Sequence, residues 1–271
     1  MKPDLDRLIE HIDRPGIDRD PELDIIRLVP DLSLEDALRV QLGVKRRKVA
    51  AGDAVAGHQA SFTSAGAQKW APTMPPPMVG TLLRSLVRSD GDVIDLDEDP
   101  AFIESEIGVV LKRDLQGPGI TPMQALAAIE GFFPAIEVAP LRPGVTEGRY
   151  SNQHMIAVQK QPGGYVFVGG TLTSPKGFDA RLEGVVVSID GAFRATAAGA
   201  ESMGNPVAVV AHVANRLAAA GEYLRAGQIV ITGSLPPPQR LSDGDRQATA
   251  QFTRLGSVTV RLSGKRHPPA S

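Results

Sequence analysis

A mixed, β-rich α+β domain behind a helical N-terminal segment is the fold class this sequence predicts, on three observations. Amphipathic helical periodicity is concentrated before about residue 50. Short β-branched apolar runs, separated by Gly pairs and Asp-Gly turns, dominate the remainder. No regular alternation of strand and helix marks a doubly wound parallel sheet. The chain accordingly divides into a helical segment over 1–55, a β-rich domain over 56–263 and a disordered tail over 264–271.

Each element has a local cause. Leu5, Leu8, Ile9 and Ile12 form an amphipathic stripe that Pro15-Gly16 stops. A second short helix is predicted from Pro21 to Leu28. Ser33-Leu34-Glu35-Asp36 has the pattern of a capping box opening a longer helix, with Leu34, Ala37, Leu38 and Leu42 on one face. That helix ends in Lys45-Arg46-Arg47-Lys48, cations that suit a helix C-terminus. Val55 to Phe62 predicts a strand, Thr63 to Trp70 a short helix and Pro72 to Pro77 irregular chain. Gly80-Thr81-Leu82-Leu83 begins another extended segment. Asp90-Gly91-Asp92 carries a hairpin turn signal, and Asp95 to Pro100 is an acidic loop without the ligand spacing of a calcium loop.

Thr121-Pro122-Met123-Gln124 supplies an N-cap, a proline at the first helical position and a Gln at the third, opening a helix that ends near Gly131. Strands are predicted at Tyr165 to Val168, Leu182 to Ile189 and Ala192 to Ala195, with turns at Gly169-Gly170 and Asp190-Gly191. Pro206 to Ala220 predicts a helix. Gly227 to Thr232 and Ser257 to Leu262 complete the strands.

Composition bounds the function. The 271 residues suffice for one large domain with a smaller appendage. Charged residues make up 22% and the net charge is -2, which gives no reason to expect a nucleic-acid partner. The absence of Cys excludes disulfides, thiolate nucleophiles and Cys-based zinc sites. The N-terminus lacks the apolar core of a signal peptide, and no apolar run approaches the ~20 residues of a membrane span. The expectation is a cytoplasmic protein with no membrane partner. With 28 Gly and 22 Pro, the chain favours many turns and short strands.

The chemistry-bearing stretch is Ile103-Glu104-Ser105-Glu106-Ile107, taken with Pro134-Ala135-Ile136-Glu137-Val138. On a strand, Glu104 and Glu106 point to one face, with Cα atoms roughly 6.6 Å apart. Glu137 shares its face with Ala135, within a run that leaves little room for a solvated side. Three carboxylates on adjacent strands could surround one hard divalent cation. They could equally line the wet face of a half-buried sheet.

Several stretches together resemble one family. They are Pro30 to Ala37, Gly57 to Ser64, Gly80-Thr81-Leu82, the Glu104-Ser105-Glu106 strand and Pro134-Ala135-Ile136-Glu137. Downstream come Met203-Gly204-Asn205-Pro206, Leu224 to Gly233, Gly244-Asp245 and Leu255 to Val258. Their order resembles that of the 2-keto-4-pentenoate hydratases and 4-oxalocrotonate decarboxylases, a branch of the fumarylacetoacetate hydrolase superfamily. The resemblance covers about residues 25–263. It implies a mixed β-roll core and a divalent metal, Mg²⁺ or Mn²⁺, held by Glu104, Glu106 and Glu137. It also implies a small 2-oxo or 2-hydroxy-enoate acid as substrate, as in aromatic-ring degradation, and a homo-oligomer.

The departures lie around that metal site. Gln59 stands where the hydratases carry a Lys, and Met78 where they carry an acid. Neither side chain titrates usefully. Their Asp-Asn segment before a strand ending in Gly-Gly has no clear counterpart; counting back from Gly169-Gly170 places Gln159-Lys160 there. His58, His154 and Lys160 are substitute candidates for proton transfer beside Gln59. Arg142, Arg149 and Arg181 are candidate clamps for substrate carboxylates.

Four readings follow as expectations, one of them non-catalytic. A hydratase is preferred on resemblance. A 2-oxo-3-enedioate decarboxylase is its alternative, because loss of CO₂ needs no base to generate a nucleophile. The others are a repurposed or non-catalytic metal-binding member without the usual Lys and a C–C bond hydrolase.

Overall fold

The computed structural model describes residues 4–13, 25–70, 77–95, 101–140, 150–158 and 164–263. Two β-sheets share one apolar core, and helices close the N-terminal side. The α+β class and the β-roll core are as the sequence predicts.

Three helices begin the chain: α1 (Leu5–Ile12), α2 (Ile25–Leu28) and α3 (Leu34–Ala50). Asp4 caps α1, and its Leu8, Ile9 and Ile12 are buried as the stripe requires. Ser33 caps α3 by accepting from the Asp36 N–H. The buried face of α3 is rotated from the expected one. It consists of Ala37, Val40, Gly43 and Val44, whereas Leu34 is 41% exposed. Gly43 is the reason, since the Ile9 side chain of α1 fills the space a Cβ would need there. α1 and α3 pack with a later helix, α6 (Asn152–Val158), and with Ile25, Leu32 and Met78. The 1–55 segment therefore shares its small core with residues from the second half of the chain. Pro15-Gly16, the 71–76 stretch and the 264–271 tail lie outside the described residues.

The larger sheet runs in the order β2-β1-β10-β5-β6-β7-β3, with β11 added beside β5. These strands are β1 (Val55–Ser61), β2 (Met78–Leu83), β3 (Val87–Ser89), β5 (Ala101–Leu111) and β6 (Ile129–Pro140). β7 (Tyr165–Val168), β10 (Ile229–Ile231) and β11 (Gln239–Arg240) complete it. The second sheet has the order β4-β13-β12-β8-β9. Its members are β4 (Val93–Ile94), β8 (Gly184–Ile189), β9 (Ala192–Ala198), β12 (Gln247–Phe252) and β13 (Ser257–Leu262).

Asp90-Gly91-Asp92 turns the chain between β3 and β4, but these strands belong to different sheets, so the turn hands the chain from one sheet to the other and closes no hairpin. β12 has the period-two burial of a half-buried strand, with Ala248, Ala250 and Phe252 inward. No strand was expected at β12 because the apolar positions are mostly alanine.

One face of the large sheet packs on the small sheet through Ile103, Ile107, Val109, Ile136, Val185, Val187, Ala250 and Val258. Helix α4 (Ala65–Trp70) follows β1. Helix α5 (Pro122–Ala128) carries the full capping box of Thr121 and Gln124, but stops at Ala128, where β6 takes over. Helix α7 (Pro206–Ala218), capped by Asn205, packs on α5 and on the β1–β2 edge. Among the described residues, no helix is long and apolar enough to cross a membrane.

Candidate metal centre

The strand pairing brings the three acids together. β5 and β6 run antiparallel with Glu104 directly opposite Glu137 and Glu106 opposite Ala135. All three carboxylates therefore emerge on the face turned away from the shared core. The alternate set, Ile103, Ser105, Ile107 and Val109, is buried in that core or beside it. A one-residue slip would exchange the two sets, so the core fixes the acids' direction. Gly108, next on the acid face, leaves room for the Phe133 ring, which a Cβ at 108 would strike.

One oxygen from each of Glu104, Glu106 and Glu137 lies within 4.8 Å of the others. Glu106 is 1% exposed and Glu137 8%, while Glu104 is half-buried. Three carboxylates gathered this closely repel one another, most strongly where water is excluded. A hard divalent cation relieves that repulsion and takes oxygen donors. Oxygens on opposite sides of a cation are about 4.2 Å apart for 2.1 Å bonds and about 4.8 Å for 2.4 Å bonds. The donor set and its span therefore fit such a cation.

The segment after β10 holds Glu106 in place. Thr232 donates twice to the Ile107 carbonyl, from N–H at 3.3 Å and from Oγ1 at 2.8 Å. The Leu235 N–H donates to the Ser105 carbonyl at 2.9 Å. Between these anchors the Gly233 N–H donates to Glu106 Oε2 at 2.6 Å. Gly233 has φ +89°, and a Cβ there would collide with Thr63 Oγ1. Thr63 Oγ1 in turn donates to the Thr232 carbonyl at 2.9 Å, and Ser202 Oγ donates to the same carbonyl. Phe62 and Met203, at φ 60° and 51°, are non-glycine residues in the left-handed region beside this corner. The Met203 N–H donates to the Thr63 carbonyl. Backbone strain of this kind persists where surrounding contacts over-determine it. The sequence offered one signal for this corner, a Gly that follows the apolar run of β10 after a single residue, Thr232.

Other residues singled out from the sequence separate by face and by region. Gln59 is the register partner of Ile231, which pairs with Gly108, so Gln59 belongs to the acid face. His58 points to the opposite face, buried near the Lys45–Glu222 ion pair. Burial lowers its pKa from 6.5 to about 4. The Glu222 carboxylate and a hydrogen bond with the Gly80 backbone oppose that fall, and the Lys45 ammonium adds to it. His154 is buried with both ring nitrogens engaged, Nδ1 with Ser151 Oγ and Nε2 with the Val29 carbonyl, each at 2.8 Å. It pins α6 to the chain after α2. Met78 is part of the apolar cluster of the N-terminal helices. Arg181 is exposed and pairs with Asp179 at 2.6 Å. Lys160, Arg142 and Arg149 lie outside the described residues.

A cavity of about 450 Å³ lies farther along the acid face, lined by Ala56, Arg84, Val110, Phe133, Leu172 and Ile229 among others. Among the described residues that line it, Arg84 is the one that carries a charge. Buried Phe133, Ala135 and Ile231 stand between it and the acids in the strand register, so it is separate from the carboxylate cluster.

Comparison with known proteins identifies the family. The family model of the fumarylacetoacetate (FAA) hydrolase C-terminal domain matches residues 47–263. A 4-oxalocrotonate decarboxylase from Pseudomonas sp. (strain CF600) is 31% identical over 265 residues, covering 94% of this chain and 95% of that protein. A 2-hydroxyhexa-2,4-dienoate hydratase from Comamonas testosteroni is also 31% identical, over 220 residues, covering 80% and 82%. The 4-oxalocrotonate decarboxylase of Pseudomonas putida G7 superposes with a TM-score of 0.86 at 29% identity, over 97% of this chain and 98% of that one, in a structure complexed with calcium and acetate. Its magnesium and adipate complex gives a TM-score of 0.85. The chain belongs to the fumarylacetoacetate hydrolase family, in the branch of the 2-keto-4-pentenoate hydratases and 4-oxalocrotonate decarboxylases.

Proposed function

We propose that this protein is a divalent-metal-dependent lyase of 2-oxo-enoate acids, and that loss of CO₂ from a 2-oxo-3-enedioate is the reaction its site suits best. Glu104, Glu106 and Glu137 are the residues that would hold the cation, Mg²⁺ or Mn²⁺. Held there, such an ion would supply a Lewis acid to the 2-oxo group of the substrate, where charge builds up as CO₂ leaves. When the terminal carboxylate leaves as CO₂, the electron pair of the broken C–C bond passes through the conjugated carbons to the 2-oxo oxygen. That oxygen takes a proton, giving a 2-hydroxydienoate.

The observation that carries this reading is the composition of the acid face. Beside the three glutamates, the described strand residues on that face near the cluster are Gln59, Ser61, Met78, Gly80, Phe102, Gly108, Phe133, Ala135, Val166, Val168, Ile231 and the permanently charged Arg240. None of these is an acid or base near neutrality. Decarboxylation needs an electron sink and a held substrate. Hydration must also activate water and move a proton to carbon, which calls for positioned titrating groups. The hydratase reading keeps the support of several relatives named as hydratases, the 2-hydroxyhexa-2,4-dienoate hydratase at 31% identity over most of the chain among them. His58, His154 and Lys160 are then secondary candidates for the proton transfers, with His58 and His154 acting only through intervening groups.

The test is turnover of 2-oxo-3-hexenedioate with Mg²⁺ or Mn²⁺, read as CO₂ release and rising dienol absorbance. A parallel incubation follows loss of 2-hydroxypenta-2,4-dienoate. CO₂ release with slow dienol loss is expected. Rapid dienol loss without CO₂ release would instead establish the hydratase. On the same reading the protein works in the cytoplasm as a homo-oligomer. Supporting self-association, the edge strand β9 presents Phe193, 66% exposed. Light scattering measures the assembly.

A further inference from the structure

The amide of Gln59 is 3% exposed, and its Oε1 is buried with no hydrogen-bond donor in reach among the described residues. A buried carbonyl oxygen left without a donor is among the costlier things a fold can retain. Elsewhere around this corner, Thr63, Ser202, Thr232 and Gly233 all find partners. Ser105 Oγ and His58 Nδ1 are also buried without a partner, but the strand register turns both to the opposite face, which leaves Gln59 Oε1 as the orphan on the acid face among the described residues. The Gly233 N–H touches Glu106, and a Cβ on Gly233 would sit 3.1 Å from the carbonyl oxygen of Ala60, the neighbour of Gln59. The end of β1 thus abuts the carboxylate cluster.

An orphan acceptor is complementary to a ligand donor. A 2-oxo acid presents only acceptors at its C1 and C2 oxygens, whereas a 2-hydroxy acid, including an enol, presents an O–H at C2. We propose that Gln59 is a specificity-determining residue whose Oε1 accepts a hydrogen bond from the 2-hydroxyl of the bound acid, so that the site favours the hydroxy (enol) form over the oxo form. This rests on the lyase reading above, in which the acid binds beside Glu104, Glu106 and Glu137. It adds a side chain that distinguishes the two ends of that reaction. A neutral acceptor does this without adding charge to a face that already carries three carboxylates.

The test compares a matched pair, 2-hydroxypentanoate and 2-oxopentanoate, titrated calorimetrically into the intact protein with saturating Mg²⁺. The same titrations are made on Gln59→Leu and Gln59→Glu. The unmodified protein is expected to prefer the hydroxy acid by about tenfold, the equivalent of one well-made hydrogen bond. Gln59→Leu is expected to bring that ratio close to one while leaving Mg²⁺ affinity unchanged. Gln59→Glu keeps acceptor oxygens, so it is expected to retain the preference even if it binds both acids more weakly. A second readout needs no ligand. Removing an unsatisfied amide is expected to raise the thermal midpoint of Gln59→Leu by a few degrees, roughly 2–4 °C per kcal/mol, whereas loss of a structural amide would lower it.

If Mg²⁺ binds but the unmodified protein shows no preference, or Gln59→Leu keeps it, this inference falls and the metal reading stands. If Mg²⁺ does not bind at all, both fall.

Discussion

His58 and Gln59 are adjacent in the chain and do opposite things. Gln59 faces the carboxylate cluster with an amide oxygen that nothing in the described chain satisfies. His58 faces the back of the same sheet, where burial keeps its imidazole neutral and α3 supplies Lys45 to an ion pair with Glu222. Strand geometry alone makes this separation, because successive side chains leave opposite faces. Being one residue away in sequence can therefore mean being on the wrong side of a sheet. The comparison predicts that the two faces can be damaged independently: front-face changes should alter metal and ligand binding, and back-face changes should alter stability and its pH dependence.

The largest effect is expected at the front. Glu106→Ala removes the most buried of the three carboxylates and leaves the Gly233 N–H without its acceptor. Its Mg²⁺ affinity, measured by calorimetric titration, is expected to fall by at least about 100-fold, beyond the usual effect of losing a supporting residue. The metal should also stabilise the intact fold. At 100 times its Kd it adds about 2.7 kcal/mol, which raises Tm by roughly 5–10 °C in a chain of this size. EDTA is expected to reverse that rise in the unmodified protein and to do nothing in Glu106→Ala. An unchanged response in the variant would remove Glu106 from the cation's ligands.

The back face gives the next effect. The folded pKa of His58 lies near 4, below its ordinary 6.5, so between these values the unfolded chain binds the extra proton. The group costs no stability above about pH 6.5. As pH falls from there towards 4, stability is lost, up to about 3 kcal/mol, and below pH 4 this group takes no more. Glu222, Lys45 and the Gly80 backbone are the groups that set the value. His58→Gln is expected to flatten the acid limb of a Tm-against-pH profile while leaving Mg²⁺ affinity within about twofold. A large loss of Mg²⁺ affinity would show that the two faces are coupled.

How much of this was legible in the sequence follows from which interactions are local. The acids were legible because Glu-x-Glu on a β-branched run fixes a common face without knowledge of the partner strand. Their meeting with Glu137 required only that two strands pair. The capping box at Thr121 and the Ser33 cap were legible for the same reason, since each is decided within four residues. The buried face of α3 was not, because Ile9 fills the notch at Gly43 from another helix. His154 could not be sorted from a catalytic histidine by sequence, since its partners are Ser151 nearby and the Val29 carbonyl far back in the chain. The Gly233 contact with Glu106 spans 127 positions and uses a backbone N–H, which no residue type announces.

That contact supplies the smallest and sharpest test of the comparison. Gly233 sits where front-face chemistry and backbone strain meet, at φ +89° with Thr63 Oγ1 in the space of a Cβ. Gly233→Ala is expected to cost about 2 kcal/mol through its left-handed backbone and the collision, a fall in Tm of about 4–8 °C. It is also expected to weaken Mg²⁺ about tenfold, the lower end of what losing a supporting hydrogen bond does, because a displaced N–H no longer fixes Glu106. Adding Thr63→Ala removes the collision but keeps the strained φ, so the double variant should recover part of the Tm. It should recover Mg²⁺ affinity only if the N–H returns to Glu106. Stability and metal binding restored together would mean that the corner acts as one packed unit. Stability restored without metal binding would show that the N–H direction, and not the packing around it, is what Gly233 contributes to the site.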